Sequence, residues 1–321
     1  MTSNEIVHVS CIICGSLCTP GPTLYDDRYG YEGRFPIDVC TGCGHISLRT
    51  SLTTDLLNRL YTDYYPRSFL LLQDFQPFQR VLGFSSWLNG TKSFAYTWVP
   101  ENVRVLDIGC GFGQALGYHK ARGCEVYGVE ADENIRRVAD KFGFNVHVGL
   151  FDPMLYEPDF FDYVTLDQVL EHVTDPIETL KGIARVLKPG GIAILGAPNA
   201  NGWGARLFGR FWINWHAPYH LQHFSVESMR VAAEMAGLQI ESFRTLTCSE
   251  WLLYQWMHLL TLPHIGTPSQ FWSPKVTRGL RYKFIQLILN QIHRTKINHI
   301  LTRLADALGV GDNYLFFMRK P

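Results

Sequence analysis

Asp107, Gly109, Gly111 and Gly113 fall in the stretch VLDIGCGFG, residues 105–113, where an apolar run ends in three alternating glycines. Glycine tolerates positive φ and lets a ligand approach the backbone, so a strand that ends this way is built to hold a small molecule. A dinucleotide fingerprint would put its third glycine one position later, beneath a pyrophosphate. Gln114 stands there instead. An acid two residues before the first glycine suits a cationic ligand better than one with two phosphates. S-adenosylmethionine carries an ammonium and a sulfonium and no phosphate, and is the expected ligand. Glu130 closes the next apolar run, 21 residues after Gly109. A carboxylate there accepts hydrogen bonds from both ribose hydroxyls.

Two cysteine pairs, Cys11/Cys14 in CIIC and Cys40/Cys43 in CTGC, are separated by 25 residues. Each pair is followed by glycine, which permits the tight turn that brings two thiolates to one ion. Nothing at the N-terminus resembles a secretion signal, so the pairs predict a zinc ribbon with a structural four-cysteine site rather than disulfides. His45 and Cys18 are alternative donors. Cys110, Cys124 and Cys248 are scattered through apolar segments.

Histidine is the usual base near neutral pH, and two places offer one. DQVLEHV holds Glu171 and His172; NWHAPYHLQHFS holds His216, Tyr219, His220 and His223. The second has metal-like spacing, but no acid lies between positions 179 and 226, so a catalytic metal is not expected. His220 is the first candidate base, His172 the second, with Tyr219 beside them; packing and capping by His223 and Phe224 is the plain structural alternative. Arg206 and Arg210 offer forks for phosphate or carboxylate. Tyr64 or Tyr65 would lie over the ligand or in the core.

These residues need a scaffold. The chain has 321 residues, 46% hydrophobic and 18% charged, enough for a sizeable core. From residue 103, apolar runs of strand length alternate with amphipathic helices, which predicts a parallel sheet covered on both faces. The expected division is a zinc ribbon over 1–50, a helical linker or lid over 51–99, a ligand-binding α/β core over 100–249, a helical basic cap over 250–312 and a final core strand over 313–321. The linker should hold one helix from a cap near Ser51 or Thr53 to Pro66, then an apolar helical pair over 69–88.

VLDIGCGFG, VYGVEAD, FDYVTLDQVLEHVTDP, VLKPGGIAILGAPN and HLQHFS appear in an order and spacing that resemble the class I S-adenosylmethionine-dependent methyltransferases. The resemblance covers about residues 100–245. It is nearest the ubiquinone O-methyltransferase-like branch, which includes enzymes of polysaccharide and natural-product pathways with a cysteine ribbon. It implies a Rossmann-like fold whose cofactor is lined by Asp107, Gly109, Cys110, Gly111 and Gly113, with Glu130 and Ala131 at the ribose. It also implies that Asp167 and Gln168 border the methyl end, and that Leu150, Phe151 or Asp152 meets the adenine, with Phe151 preferred.

Net charge is zero, yet acids outnumber bases up to residue 178 and the balance reverses beyond it. No acid lies between Glu250 and Asp306, while Lys275, Arg278, Arg281, Lys283, Arg294, Lys296 and Arg303 do. The first reading is a cap that receives a small anionic acceptor for O-methylation, with C-methylation of a nucleotide sugar left open. In the second, WLLYQWMHLL and YKFIQLILNQIHRTKINHIL lie on a membrane surface and the acceptor is lipid-linked. Net neutrality and a ribbon with few bases argue against RNA or DNA as partner. A zinc-stabilised adaptor is the non-enzymatic alternative. No apolar run reaches bilayer-spanning length, and a cytoplasmic protein is expected.

Overall fold

The computed structural model describes residues 9–49, 52–66 and 71–321. Ser51 and positions 6–8 and 69–70, parts of expected elements, lie outside the described residues. In chain order the elements are β1 (Cys18–Leu24), β2 (Phe35–Cys40), β3 (Ile46–Leu48), α1 (Thr54–Arg59), α2 (Gly83–Asn89), β4 (Arg104–Ile108), α3 (Gln114–Lys120), β5 (Glu125–Glu130), α4 (Ile135–Phe142) and β6 (Asn145–Val148). They continue with β7 (Phe161–Asp167), α5 (Pro176–Val186), β8 (Leu187–Pro198), α6 (Trp203–Phe208), β9 (Gln222–His223), α7 (Val226–Met235) and β10 (Gln239–Leu246). The last are α8 (Ser249–Leu260), α9 (Leu280–Arg294), α10 (Ile297–Ala307) and β11 (Asn313–Arg319).

Seven strands form the main sheet in the order β10-β11-β8-β7-β4-β5-β6. β4 to β8 run parallel, and β11 inserts antiparallel between β8 and β10. Val105, Leu106 and Ile108 of β4 are all buried, as a strand covered on both faces requires. One face packs against α5 and α7, the other against α3, α4 and the turns around Ala95. The chain runs outward from β4 to β5 and β6, then crosses back to β7. That reversal opens a crevice at the carboxyl ends of β4 and β7.

A second sheet, β1-β2-β3-β9, joins the ribbon to the core. Its fourth strand, β9, comes from the histidine-rich loop after α6 and pairs with Ile46 and Ser47. The Ser225 cap that starts α7 is bonded in turn to the ribbon: its Oγ donates to the Cys43 carbonyl and accepts from the Ser228 N–H.

The linker departs from its expected form. Thr53 caps α1, its Oγ1 accepting from Leu56 N–H, and the helix widens into a π turn over Leu60–Tyr64 before Pro66. Instead of a helical pair over 69–88, the described part has a single 3₁₀ turn at Leu72–Asp74, extended chain, and then α2. Pro77 supplies no N–H and turns its predecessor away from helix, and Gly83, at φ +60°, starts the chain afresh.

The expected insertion before the last strand is present as α8, α9 and α10. Its parts face opposite ways. α8, which carries WLLYQWMHLL, is a buried strut and not a membrane face: Leu252, Leu253 and Met257 are in the interior. Gln255 accepts from Ile213 N–H and donates to the Phe211 carbonyl, each at 2.9 Å. Arg281, Lys283, Arg294 and Lys296 all point to solvent. Among the described residues no helix is long and apolar enough to cross a membrane.

Candidate active site

The loop after β4 holds Gly109, Gly111 and Gly113 at φ +75°, +54° and +77°, conformations that suit glycine. A Cβ on Gly109 would lie 2.4 Å from Val169 Cγ2, whereas one on Gly111 meets nothing within 4 Å. Gly111 therefore borders open space, and Gly109 is held tight against the chain after β7. Glu130 ties the loop to β5: its two oxygens accept from Gly111 N–H at 2.8 Å and Asp132 N–H at 2.9 Å. Ala131 follows in the open. Cys110 turns its thiol beneath the loop, where Gly128 leaves room for it, so its backbone alone faces the crevice.

Asp107 is buried at the end of β4 and accepts a 2.6 Å hydrogen bond from Thr165 Oγ1. Burial pushes its carboxyl up to about 7; the Thr165 bond opposes this, and Asp167 and Glu130 add to it. Burial likewise raises Asp167 to about 6, against the hydrogen bond from Ala95 N–H. A cation bound beside the open loop would lower these pKa values and restore the ionisation of both carboxyls. Gln168 sits at φ +59°, a strained conformation for this residue, with its amide bonded to Asn313 Oδ1 at 2.7 Å. Phe151 packs on Gly182 of α5, which turns it away from the crevice. Leu150, directly after the Gly149 N–H that bonds the Glu130 carbonyl, is 82% exposed.

Four residues beyond Asp167 the chain meets the histidine loop. His172 is half-buried, its Nδ1 lying 3.0 Å from the Tyr219 carbonyl and 3.2 Å from the Tyr61 hydroxyl. A proton on Nδ1 satisfies that carbonyl and leaves the Nε2 lone pair free. Burial lowers its pKa to about 4, so the ring is neutral at pH 7. His220 lies behind it, with ring centroids 4.6 Å apart, and is 6% exposed. Its Nδ1 is 2.7 Å from the Asn214 carbonyl and its Nε2 is 3.9 Å from Glu171. His220 is sealed in, and so is the unpartnered Tyr219 hydroxyl, whereas His172 is only half-buried. His223 is buried too, bonded to Asn214 at 3.0 Å. The fold also brings in the carboxylate missing from positions 179–226. Glu171, with neither oxygen partnered, has donor atoms within 4.8 Å of those of His172 and His220. Burial pushes Glu171 up to about 8.

Aromatic rings line this chamber. Tyr65 lies 5.2 Å from both Tyr29 and Tyr219 by ring centroids, and Tyr64 turns to Tyr31. Burial raises the Tyr65 hydroxyl, Arg28 pulls it back, and Glu130 and Glu171 push it further up. The ring also packs on His216, with centroids 6.0 Å apart. Arg28 is 8% exposed, its Nε lacks a partner and its charge depresses His172 and His216. Arg206 and Arg210 are exposed.

A family model described as a methyltransferase domain matches residues 76–242, just over half of the chain. The chain belongs to this family. Among curated proteins, the ubiquinone biosynthesis O-methyltransferase of Aeromonas salmonicida is 35% identical over 105 residues, 30% of this chain and 44% of that protein. Its namesake from Pseudomonas fluorescens is 34% identical over 119 residues, 32% of this chain and 50% of the relative. The chain spans about half the length of the curated relatives it matches. A solved S-adenosylmethionine-dependent methyltransferase from Archaeoglobus fulgidus is 20% identical, with a TM-score of 0.42, covering 70% of this chain and 88% of that one. The seven-stranded sheet and glycine loop are those of a class I methyltransferase.

To this fold the chain adds a cysteine cluster. Sγ of Cys11 is 3.7 Å from that of Cys43, Cys14 is 3.4 Å from Cys40, and all four lie within 4.8 Å of one another. Ile13 N–H points to Cys11 Sγ and Cys43 N–H to Cys40 Sγ, as knuckles that stabilise thiolates do. Cys18 stands outside the cluster, and His45 packs on Phe224 with both ring nitrogens unpartnered. Tyr61 and Arg28 escaped the sequence-based site, and Glu171 entered it only as the neighbour of His172. Tyr61 sits in the π turn, and Arg28 is far from the other site residues in sequence; nothing local marks either.

Proposed function

We propose that the chain transfers the methyl group of S-adenosylmethionine to an oxygen of a small anionic acceptor. S-adenosylmethionine supplies a methyl on a sulfonium, already activated for in-line displacement. Asp107 and Asp167 balance its positive charges, Glu130 accepts from its ribose, the glycine loop lets its backbone-facing edge approach, and Leu150 offers an apolar surface for the adenine. His172 Nε2 takes the proton of the acceptor hydroxyl as the oxygen–methyl bond forms and the sulfur–methyl bond breaks, leaving a neutral thioether. The aromatic walls exclude water. The observation that carries the anionic acceptor is Arg28, a buried guanidinium that donates to the Ile213 carbonyl and stacks on Trp272 but, among the described residues, pairs with no carboxylate; the names of the curated relatives support oxygen as the atom methylated.

The four clustered cysteines hold a structural zinc ion in this reading: sulfur separations of 3.4–3.7 Å suit a tetrahedral tetrathiolate, which leaves no open position for chemistry.

The test is to incubate the protein with methyl-labelled S-adenosylmethionine and a small-molecule extract, then pass the products over an anion exchanger. Label is expected in a retained small molecule. Arg28→Lys should lower its yield about tenfold or more while S-adenosylhomocysteine binding is unchanged. Label in a neutral product, in protein or in RNA would overturn the acceptor assignment.

A further inference from the structure

Helix α10 is built inside out. Its buried face carries Asn298, His299, Thr302 and Arg303. Three have polar partners: Arg303 donates to the Trp87 and Thr247 carbonyls and pairs with Asp306 at 2.8 Å, Thr302 meets Ser249 Oγ at 3.0 Å, and Asn298 meets His293, on whose ring His299 packs. The outward face carries Ile297, Ile300, Leu301 and Leu304, with Leu308 just beyond, at spacings that form one stripe. Leu304 is 57% and Leu308 78% exposed. Helix α9, which packs on α10, presents a second stripe of Leu280, Phe284, Leu287, Ile288 and Ile292, all exposed. α2, which packs on α10, adds Phe84 and Trp87. An apolar face this extensive marks an interaction surface.

Charge decides what covers it. Arg281, Lys283, Arg294 and Lys296 rim the stripes, and no acid occurs from residue 251 to 305. Beside α2 a cavity of about 560 Å³ opens, bordered by Arg80, Lys92, Trp87 and Arg122. Among the described residues its cations, Arg303 included, outnumber the acids that answer them: Asp306 pairs with Arg303, Glu101 answers both Arg80, at 3.6 Å, and Arg122, at 3.4 Å, and Arg122 Nη1 has no partner. Two copies of the chain meeting through this face would set like charges against each other, because a two-fold interface is self-complementary. A layer of phospholipid phosphates over hydrocarbon answers both the cations and the stripes.

We infer that the face formed by α2, α9 and α10 docks on an anionic phospholipid bilayer. The exposed stripes enter the interface between headgroups and acyl chains, the rim cations meet phosphates, and the buried strut α8 carries the docked face to the histidine loop. The chemistry of the acceptor plays no part in this inference, which stands or falls apart from the transferase reading.

The experiment is sedimentation of the full chain with vesicles of pure phosphatidylcholine, or of phosphatidylcholine with phosphatidylglycerol, at low and high salt. The variant is Leu301→Glu/Leu304→Glu, which alters exposed side chains alone. Expected are at least tenfold stronger partitioning to the phosphatidylglycerol vesicles, weakening with salt, and at least a tenfold loss in the variant. Melting temperature and S-adenosylhomocysteine binding should match between the two proteins. Equal sedimentation with both vesicle types, unchanged partitioning of the variant, or a lipid-free dimer that the variant splits would each overturn the inference.

Discussion

Gly109 and Gly111 share the left-handed conformation but differ in what a side chain would meet, and this separates fold from ligand. Alanine at either position costs about 1–2 kcal/mol for its backbone. Gly109→Ala adds a clash with Val169 and should lower the melting temperature markedly. Gly111→Ala should cost only the backbone strain, yet weaken S-adenosylmethionine binding about 100-fold, because its Cβ enters the space reserved for the ligand. Calorimetry beside thermal melts reads both effects. Asp107 gives a pH signature. Its raised pKa, about 7, means that the empty site is protonated below neutrality, and a cationic ligand must expel that proton. Affinity should climb with pH through about 7, level off above it, and fall about tenfold per unit well below it. Asp107→Asn should be weak and nearly flat in this range. A wild-type affinity independent of pH from 5 to 8 would refute the role given to this carboxyl.

At the scale of elements, the strand that pairs with the ribbon comes from the histidine loop, so the segment that carries the cysteine cluster also positions that loop. β3 holds β9, and the second knuckle holds the cap of α7. Cys40→Ser, or withdrawal of metal by a chelator, should therefore lower methyl transfer and the melting temperature while S-adenosylhomocysteine binding at the glycine loop largely survives. Equal loss of binding and transfer would contradict this division. The same elements show how much of the molecule was legible in its sequence. The alternation after residue 103, the Gly-rich turn and the cysteine knuckles are signals carried by neighbouring residues, and the elements they specify formed where expected. The linker departs from the helical pair that its apolar residues suggest because Pro77 and Gly83 interrupt it. The insertion was found, but not its polarity. α8 and α10 both carry apolar residues in helical register, and packing reveals that α8 buries them while α10 exposes Ile297, Ile300, Leu301 and Leu304. Arg28 and Tyr61 reach the chamber through tertiary folding alone, from segments with no local motif.

For the whole molecule, buried carboxyls and buried histidines pull stability in opposite directions. Asp107 and Asp312 stand at about 7 and Glu171 at about 8, all raised chiefly by burial. Groups raised above their unfolded values add stability at low pH and lose it as pH rises through the folded values. His172, His223 and His119 are lowered to about 4, again chiefly by burial, so their contribution is lost as pH falls from about 6.5 toward 4. Between about 4 and 6.5 the two sets offset one another, while above 6.5 the acids act alone. The melting temperature of the ligand-free protein should decline from pH 6.5 to 8, and S-adenosylmethionine should reduce the decline by pairing with Asp107. Thermal melts across that range, with and without ligand, check both parts. The central claim is that the acid-lined glycine loop holds S-adenosylmethionine and not a dinucleotide. Calorimetric titration with S-adenosylhomocysteine beside NADH tests it most directly. The expected result is one saturable site for S-adenosylhomocysteine and no heat from NADH; binding of NADH, or of neither, would contradict it.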